Sequence, residues 1–169
     1  LGFSTISNAA DAEIYGAEFE LQWMPVENLF VNLGLGLLST EYQDFVTPDG
    51  DFSGNKIPMS PERTVNGLIQ YDIPLQSNDA ITLQADFNYQ DEVYFDALAN
   101  PLLREDDYWL LNARISWATA DDKLEVAAFG RNLGDEEYMV YAFDLSFFGF
   151  NEEMIGTPRA FGLEVTYQL

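Results

Sequence analysis

The sequence predicts an all-β fold, an antiparallel transmembrane β-barrel fragment of about seven strands with short periplasmic turns and long extracellular loops. Three observations carry this expectation. Apolar and polar residues alternate with period two along most of the chain, and the connections between the alternating runs are short and long in turn. The runs that head toward the short turns end in aromatic residues. The 169 residues, 47% hydrophobic and 15% aromatic, suffice for one folded domain and argue against disorder. No run approaches the ~18 continuous apolar residues of a membrane helix, but a tilted barrel strand needs only ~9–11 residues, half of them apolar. The slightly negative mean hydropathy is therefore silent about membranes.

The first alternation runs from about Phe3 to Trp23, clearest where Tyr15, Ala17, Phe19, Leu21 and Trp23 oppose Gly16, Glu18, Glu20 and Gln22. Residues 24–28 read as a short turn, with Pro25 where no ladder donor is needed. Leu29, Val31, Leu33, Leu35 and Leu37 then make a second strand, paired to the first as a hairpin. Residues 43–62 are dense in Pro, Gly, Asp and Ser and read as a long loop. A third strand follows on Val65, Gly67, Ile69, Tyr71 and Ile73, and a short turn over 74–80 leads into the cleanest alternation, Ile81 to Gln90. After a second long connection, about 91–106, come Trp109, Leu111, Ala113, Ile115 and Trp117, a tight turn, and a sixth strand on Leu124, Val126 and Ala128. A third long stretch reaches about Pro158, and Phe161, Leu163, Val165, Tyr167 and Leu169 close the chain on one apolar face.

This alternation of short and long connections is the mark of a transmembrane barrel and is not required of a soluble sandwich. Trp23, Tyr71, Trp117 and Tyr167 sit on the apolar face at the short-turn end and read as a membrane girdle, with Tyr42, Tyr89 and Trp109 candidates for the opposite one. Seven strands are an odd number, whereas bacterial single-chain barrels use an even one, so the chain is read as part of a larger barrel. It begins at Leu1 without an initiator Met or a signal peptide, which also reads as a piece of something longer.

Seven basic residues against 29 acidic ones give a net charge of −22, which excludes a nucleic-acid surface. There is no Cys or His, so disulfides and the usual Ser-His-Asp and Cys-His catalytic arrangements are out of reach within this chain. Carboxylate pairs are numerous, but 29 acids produce pairs by chance, and no phosphate-cradling glycine loop appears. The chain reads as a non-enzyme without a cofactor.

Four stretches point to a family. They are S-N-A-A-D-A-E-I-Y-G-A-E-F-E at 7–20, G-N-K-I-P-M-S-P-E-R at 54–63, G-R-N-L-G-D-E-E-Y at 130–138 and G-T-P-R-A-F-G-L-E-V-T-Y-Q-L at 156–169. In order and spacing they resemble elements of the C-terminal barrel portion of TonB-dependent outer-membrane receptors, and the resemblance spans essentially the whole chain. It implies a barrel of about 22 strands filled by a plug. Residues 1–169 would be the C-terminal portion of that barrel, with the plug domain and TonB box absent from this chain. The implied function is TonB-dependent active uptake of a scarce nutrient of siderophore, cobalamin or saccharide type across the Gram-negative outer membrane. The implied partners are outer-membrane lipid and lipopolysaccharide, the plug, TonB through the N-terminal region, the barrel-assembly machinery through the last strand, and a small-molecule ligand. One departure is Leu169, where the family usually ends in Phe. The alternative is a passive or structural porin-like barrel without a plug; a soluble sandwich or lipocalin-like binder is a third reading.

Glu18, Glu20, Asp72, Asp86, Glu125 and Glu164 share the polar face with Arg114 and are expected to line the lumen, where they either meet the plug or form a hydrated, mutually screened wall. Asp49, Asp51, Ser53 and Asn55 match the opening of a calcium loop, but Ser60 stands where a bidentate Glu belongs, and a solvated acidic turn is the favoured reading. Tyr138, Tyr141, Phe143, Phe147, Phe148 and Phe150, interleaved with acids, are candidates for ligand contact in the third loop or for packing against neighbouring loops. Loops 91–106 and 134–157 are where ligand contact is expected, because loops on a rigid scaffold carry recognition.

Overall fold

The computed structural model describes residues 11–48, 50–121 and 123–168. It is an antiparallel seven-stranded sheet carrying three small hairpins at one end. In chain order the strands are β1 (Asp11–Val26), β2 (Leu29–Asp44), β3 (Val46–Thr47), β4 (Gly50–Asp51), β5 (Arg63–Pro74) and β6 (Ala80–Gln90). Then come β7 (Val93–Tyr94), β8 (Arg104–Glu105), β9 (Tyr108–Ala118), β10 (Leu124–Arg131), β11 (Met139–Leu145), β12 (Phe150–Ile155) and β13 (Ala160–Tyr167). The large sheet has the order β1-β2-β5-β6-β9-β10-β13, each strand beside its predecessor, as a barrel wall requires. Among the described residues β1 and β13 are its two unpaired edges.

Register makes the two faces continuous. Trp23 opposes Val31, Val31 opposes Ile69, Ile69 opposes Ala85, and the row continues through Ala113 and Gly130 to Phe161. One residue away lies the other face, where Gln22, Asn32, Leu68, Asp86 and Asn112 form the corresponding row. A one-residue slip anywhere would exchange the faces, so the alternation read from sequence fixes the pairing. β1 and β2 each have 16 residues, longer than the ~9–11 that a tilted strand needs to cross a bilayer.

Two expectations change in detail. The first turn is only Glu27–Asn28, with Asn28 at φ 65°, and Pro25 lies inside β1. The pairing slips between Trp23 and Val26, an irregularity that accommodates a residue lacking an N–H. The long connections are also not irregular throughout, since each contains a hairpin: β3–β4, β7–β8 and β11–β12. Their strands were missed because two residues, or a run of mixed Phe and acid, give no period-two signal. The portion of the first strand before Asp11, and Leu169, lie outside the described residues.

Candidate functional site

Two surfaces carry the polar chemistry, the polar face of the sheet and the layer of hairpins above it. On the sheet, the alternation places Glu18, Glu20, Asp72, Asp86, Arg114, Glu125 and Glu164 on one face, as expected from sequence. The structure joins several of them. Arg114 reaches across β10 so that Nη2 lies 2.9 Å from both Glu125 Oε1 and Glu164 Oε1, binding β9, β10 and β13 together. Asp72 accepts hydrogen bonds from Thr82 Oγ1 at 2.7 Å and Gln70 Nε2 at 3.1 Å. Asp86 accepts one from Asn112 Nδ2 at 2.7 Å. Glu18 and Glu20 are exposed on β1 and take no part in this network.

The opposite face is apolar and exposed, up to 81% for Leu163. Trp23, Tyr71, Trp117 and Tyr167 lie on it at the strand ends beside the short turns. Near the other end of the same face Trp109 packs against Tyr89 and Phe87, with ring centroids 4.6 and 5.6 Å away. Tyr42 instead shares the parity of Gly34 and Gly36, on the polar face, and its ring rests on Phe45 at 4.8 Å.

The hairpin layer holds most of the buried apolar side chains. Val93, Phe95, Leu103 and Ala142 form a small core, with Met139 and Tyr141 packed on it. It draws loop 91–106 against the β11–β12 hairpin. Glu105 Oε2 accepts the Met139 N–H at 2.8 Å. Burial pushes the Glu105 carboxyl above its usual range, only partly offset by that hydrogen bond, while Asp106, Glu136 and Glu153 add to the upward shift. Loop 45–62 is tied to the second loop by Asn55 Nδ2 on the Ala97 carbonyl at 3.1 Å and by the Met59 N–H on the Tyr94 carbonyl at 2.9 Å. Lys56 adds ion pairs to Glu62 and Glu92, and Arg104 pairs with Glu92 and Asp106. At the top of β6, burial works against the charged form of Asp91. The Arg63 guanidinium at 2.7 Å and the Tyr89 hydroxyl outweigh it and hold the carboxyl below the usual range.

The six aromatic candidates separate into two groups. Tyr138 lies flat over Gly156, where a Cβ would come within 2.1 Å of its ring, and stacks on Tyr108 at 4.7 Å. Tyr141 meets Phe95 edge-on at 5.8 Å. These two are packing residues of the layer. Phe143, Phe147, Phe148 and Phe150 stand exposed toward the tip of the β11–β12 hairpin.

Asp49 lies outside the described residues. Of its partners in the calcium-like run, Asp51 accepts the Ser53 N–H and Ser53 Oγ accepts the Phe45 N–H, both at 3.0 Å, while Asn55 turns its amide to Ala97. Their polar groups serve the local turn and the loop contact.

Sequence reasoning missed the role of Asn132. Only 4% exposed and at φ 48°, it ties three segments together. Its N–H donates to Asn112 Oδ1 at 3.0 Å, its Nδ2 to the Glu136 and Thr157 carbonyls at 2.8 and 3.1 Å, and its Oδ1 accepts the Glu136 N–H at 2.9 Å. Three residues on, Asp135 is bidentate with Arg159, taking the backbone N–H at 3.2 Å and Nη2 at 2.9 Å. The N-L-x-D and P-R elements thus form one clasp, between the end of β10 and the start of β13. Their recurrence as motifs was the only sequence signal for it.

Comparison with known proteins agrees with this architecture. Residues 1–133 match the family model described as TonB dependent receptor-like, beta-barrel. The chain belongs to this family. Its strands are therefore those of a Gram-negative outer-membrane β-barrel, as the resemblance implied. It is 25% identical over 148 residues to the pesticin receptor of Yersinia enterocolitica, covering 85% of this chain and 20% of that receptor. Its fold matches the ferric yersiniabactin uptake receptor of Yersinia pestis with a TM-score of 0.79, at 19% identity over 92% of this chain and 23% of the other. It matches the ferric preacinetobactin receptor of Acinetobacter baumannii with a TM-score of 0.75, at 20% identity over 92% and 22%. The chain spans about a fifth of the length of the receptors it matches.

Proposed function

We propose that this chain is the C-terminal portion of the barrel of a receptor that takes up a scarce nutrient across the outer membrane by TonB-dependent active transport, and that the nutrient is an iron chelate of siderophore type. The observation that carries the reading is the family match laid over a sheet with one lipid-compatible and one polar face. The siderophore class is supported by relatives whose names specify ferric yersiniabactin and ferric preacinetobactin. The remainder of the full-length protein supplies the plug and the TonB box. Cargo is caught by the outer loops and lumen and released inward when TonB acts on the plug. No residue here performs covalent chemistry.

In this reading Trp23, Tyr71, Trp117 and Tyr167 anchor the periplasmic interface of the outer membrane, and the exposed Phe143–Phe150 tip is the ligand-facing part of the third loop. The Arg114 network stiffens the lumen wall, while Glu18 and Glu20, lacking partners among the described residues, remain free to meet the plug. The last strand engages the assembly machinery, and the apolar face meets lipid and lipopolysaccharide. The net charge of −22 disfavours a polyanionic cargo bound directly to these loops.

The test is radiolabelled iron uptake by cells expressing the full-length receptor, with and without TonB and with the proton gradient collapsed. Uptake that stops in both cases is expected. Uptake that persists without TonB, from a gene whose upstream sequence starts directly in strands, would establish the passive pore instead. Replacing Glu18 and Arg114 by Ala in the full receptor separates wall from plug contact, since an inert wall leaves uptake and plug retention unchanged.

A further inference from the structure

The apolar face of the sheet carries a guanidinium at the depth of a lipid headgroup. Trp23, Tyr71 and Trp117 mark the short-turn end of that face, and eight residues outward on the same strands stand Tyr15, Arg63 and Trp109. Eight residues make about 26 Å of strand, which a barrel tilt of about 40° reduces to about 20 Å, near the ~25 Å height of an apolar band. Tyr15, Arg63 and Trp109 therefore share the outer interface. In register, Arg63 opposes Leu37, Leu37 opposes Ala17, and Tyr15 opposes Ser39 two residues farther out. Together they enclose a groove of about 570 Å³, apolar over Ala17 and Leu37 and bordered by Tyr15, Ser39, Glu62 and Arg63.

Arg63 is held ready for a ligand. Its Nε donates to Asp91 Oδ2 at 2.7 Å, and the Tyr89 hydroxyl fixes the other carboxylate oxygen. Neither Nη1 nor Nη2 makes a hydrogen bond to a described residue, and the side chain is 63% exposed. Arg159, at the outer end of the closing strand, differs, since its Nη1 and Nη2 turn to the Leu133 carbonyl and Asp135. A guanidinium anchored through Nε presents its two terminal nitrogens as a fork, which matches two oxygens of a phosphate.

The surrounding charges limit which phosphate fits. Asp91 is neutralised by Arg63, and Glu62 by Lys56 at 2.9 Å. Lys56 and Arg104 share Glu92, at 3.7 and 3.5 Å. Two residues beyond Tyr15 and Ser39, Glu13 and Glu41 face each other on the same side, and Gln43 donates to Glu13. A bare anion at Arg63 is repelled by those two carboxylates, whereas a head that brings divalent cations between its phosphates offsets them.

We propose that this groove is a site for lipid A, the phosphorylated and multiply acylated glucosamine disaccharide of lipopolysaccharide. One phosphate meets the Arg63 fork and an acyl chain lies over Ala17 and Leu37. The site is independent of cargo and TonB and rests only on the reading of the apolar face as lipid-facing.

The experiment is titration of lipid A into the purified, delipidated full-length receptor in detergent with magnesium, with bound lipid counted by native mass spectrometry. Lipid A is expected to bind more tightly than its dephosphorylated form and than phosphatidylglycerol, a monoanionic phosphodiester. Arg63→Gln should weaken lipid A about 10-fold or more, as expected for losing charge-assisted hydrogen bonds, and leave the dephosphorylated form unchanged. Arg63→Lys, which keeps the charge without the fork, should lose less, and chelating magnesium should weaken the wild-type complex. Ala17→Phe fills the groove without touching the Arg63–Asp91 pair and should weaken both lipids. Heat-modifiable electrophoretic mobility reports whether each variant is folded, and if Arg63→Gln is not, Arg63→Lys and Ala17→Phe carry the comparison. Equal binding of the dephosphorylated form, tighter binding of phosphatidylglycerol, or lipid A affinity that these variants leave unchanged would overturn the site. Receptor that stays monodisperse without detergent would overturn the lipid-facing reading itself.

Discussion

The sheet and the hairpin layer solve the problem of apolar surface in opposite ways. In the sheet, Phe19, Ile69, Leu83, Ile115 and Leu163 stay at least 40% exposed, because the solvent for that face is lipid. In the layer, Val93, Phe95, Leu103 and Ala142 are at most 7% exposed, because the solvent there is water and burial must come from the protein itself. The lesson is that the conventional core of this chain lies in its connections. The strands depend on the bilayer and on neighbours along the barrel, while the loops form a small water-adapted body of their own.

Four changes in the full-length receptor, taken from the largest expected effect to the smallest, sharpen or break this contrast. Leu103→Ala empties the most buried side chain, at 1% exposed, and should cost about 2–5 kcal/mol within the layer. Limited proteolysis should then cut loop 91–106 rapidly while heat-modifiable mobility shows an intact barrel; loss of the barrel as well would mean that the two bodies are one. Leu163→Arg tests the sheet instead, and should cost about 2–4 kcal/mol if the residue lies near the bilayer midplane, less near an interface. Denaturant titration in liposomes should show the loss with loop proteolysis unchanged.

Asn132→Ala removes the clasp between the end of β10 and the start of β13, and with the partners left unpaired should cost about 1–3 kcal/mol. Outer-membrane yield of folded receptor is the measurement, and an undiminished yield would deny the clasp a part in assembly. Glu105→Gln keeps an acceptor for the Met139 N–H while removing a buried charge, so it should stabilise the layer by about 1 kcal/mol or less. The sign follows from the raised carboxyl. The native loop favours its protonated form, so wild-type loop protection against hydrogen exchange should rise as pH falls through the folded value and decline above it, whereas the Gln variant loses this component. Asp91 contributes the opposite slope, since its lowered carboxyl stabilises the fold above its unfolded value and ceases to do so as pH falls through the folded one.

The sheet was legible because it obeys one rule. From Tyr15 to Trp23 and again from Phe161 to Tyr167, alternation states both strand and face, and the alternation of short and long connections states the topology. The layer was not, because its elements are held by contacts distant in sequence. Tyr138 and Phe148 look alike in a run of aromatics, yet one lies over Gly156 and the other is exposed at a hairpin tip. Pro25 misled in a smaller way, since a residue that normally marks a turn was absorbed by a slip in the β1 ladder. That the charged residues share one face was legible from their parity, but which of them find partners depended on side-chain reach, as Arg114 shows by spanning β10 to Glu164.

The ties among the three outer loops bear on how such a receptor diversifies. Asn55 on Ala97, Met59 on Tyr94 and Glu105 on Met139 make each loop a template for the next, so an insertion in one must be matched in its neighbour. The stretch from Phe143 to Phe150 lies past the last of these ties. A change there disturbs none of these ties, which makes that exposed tip the stretch of the three loops most able to vary without retuning its neighbours.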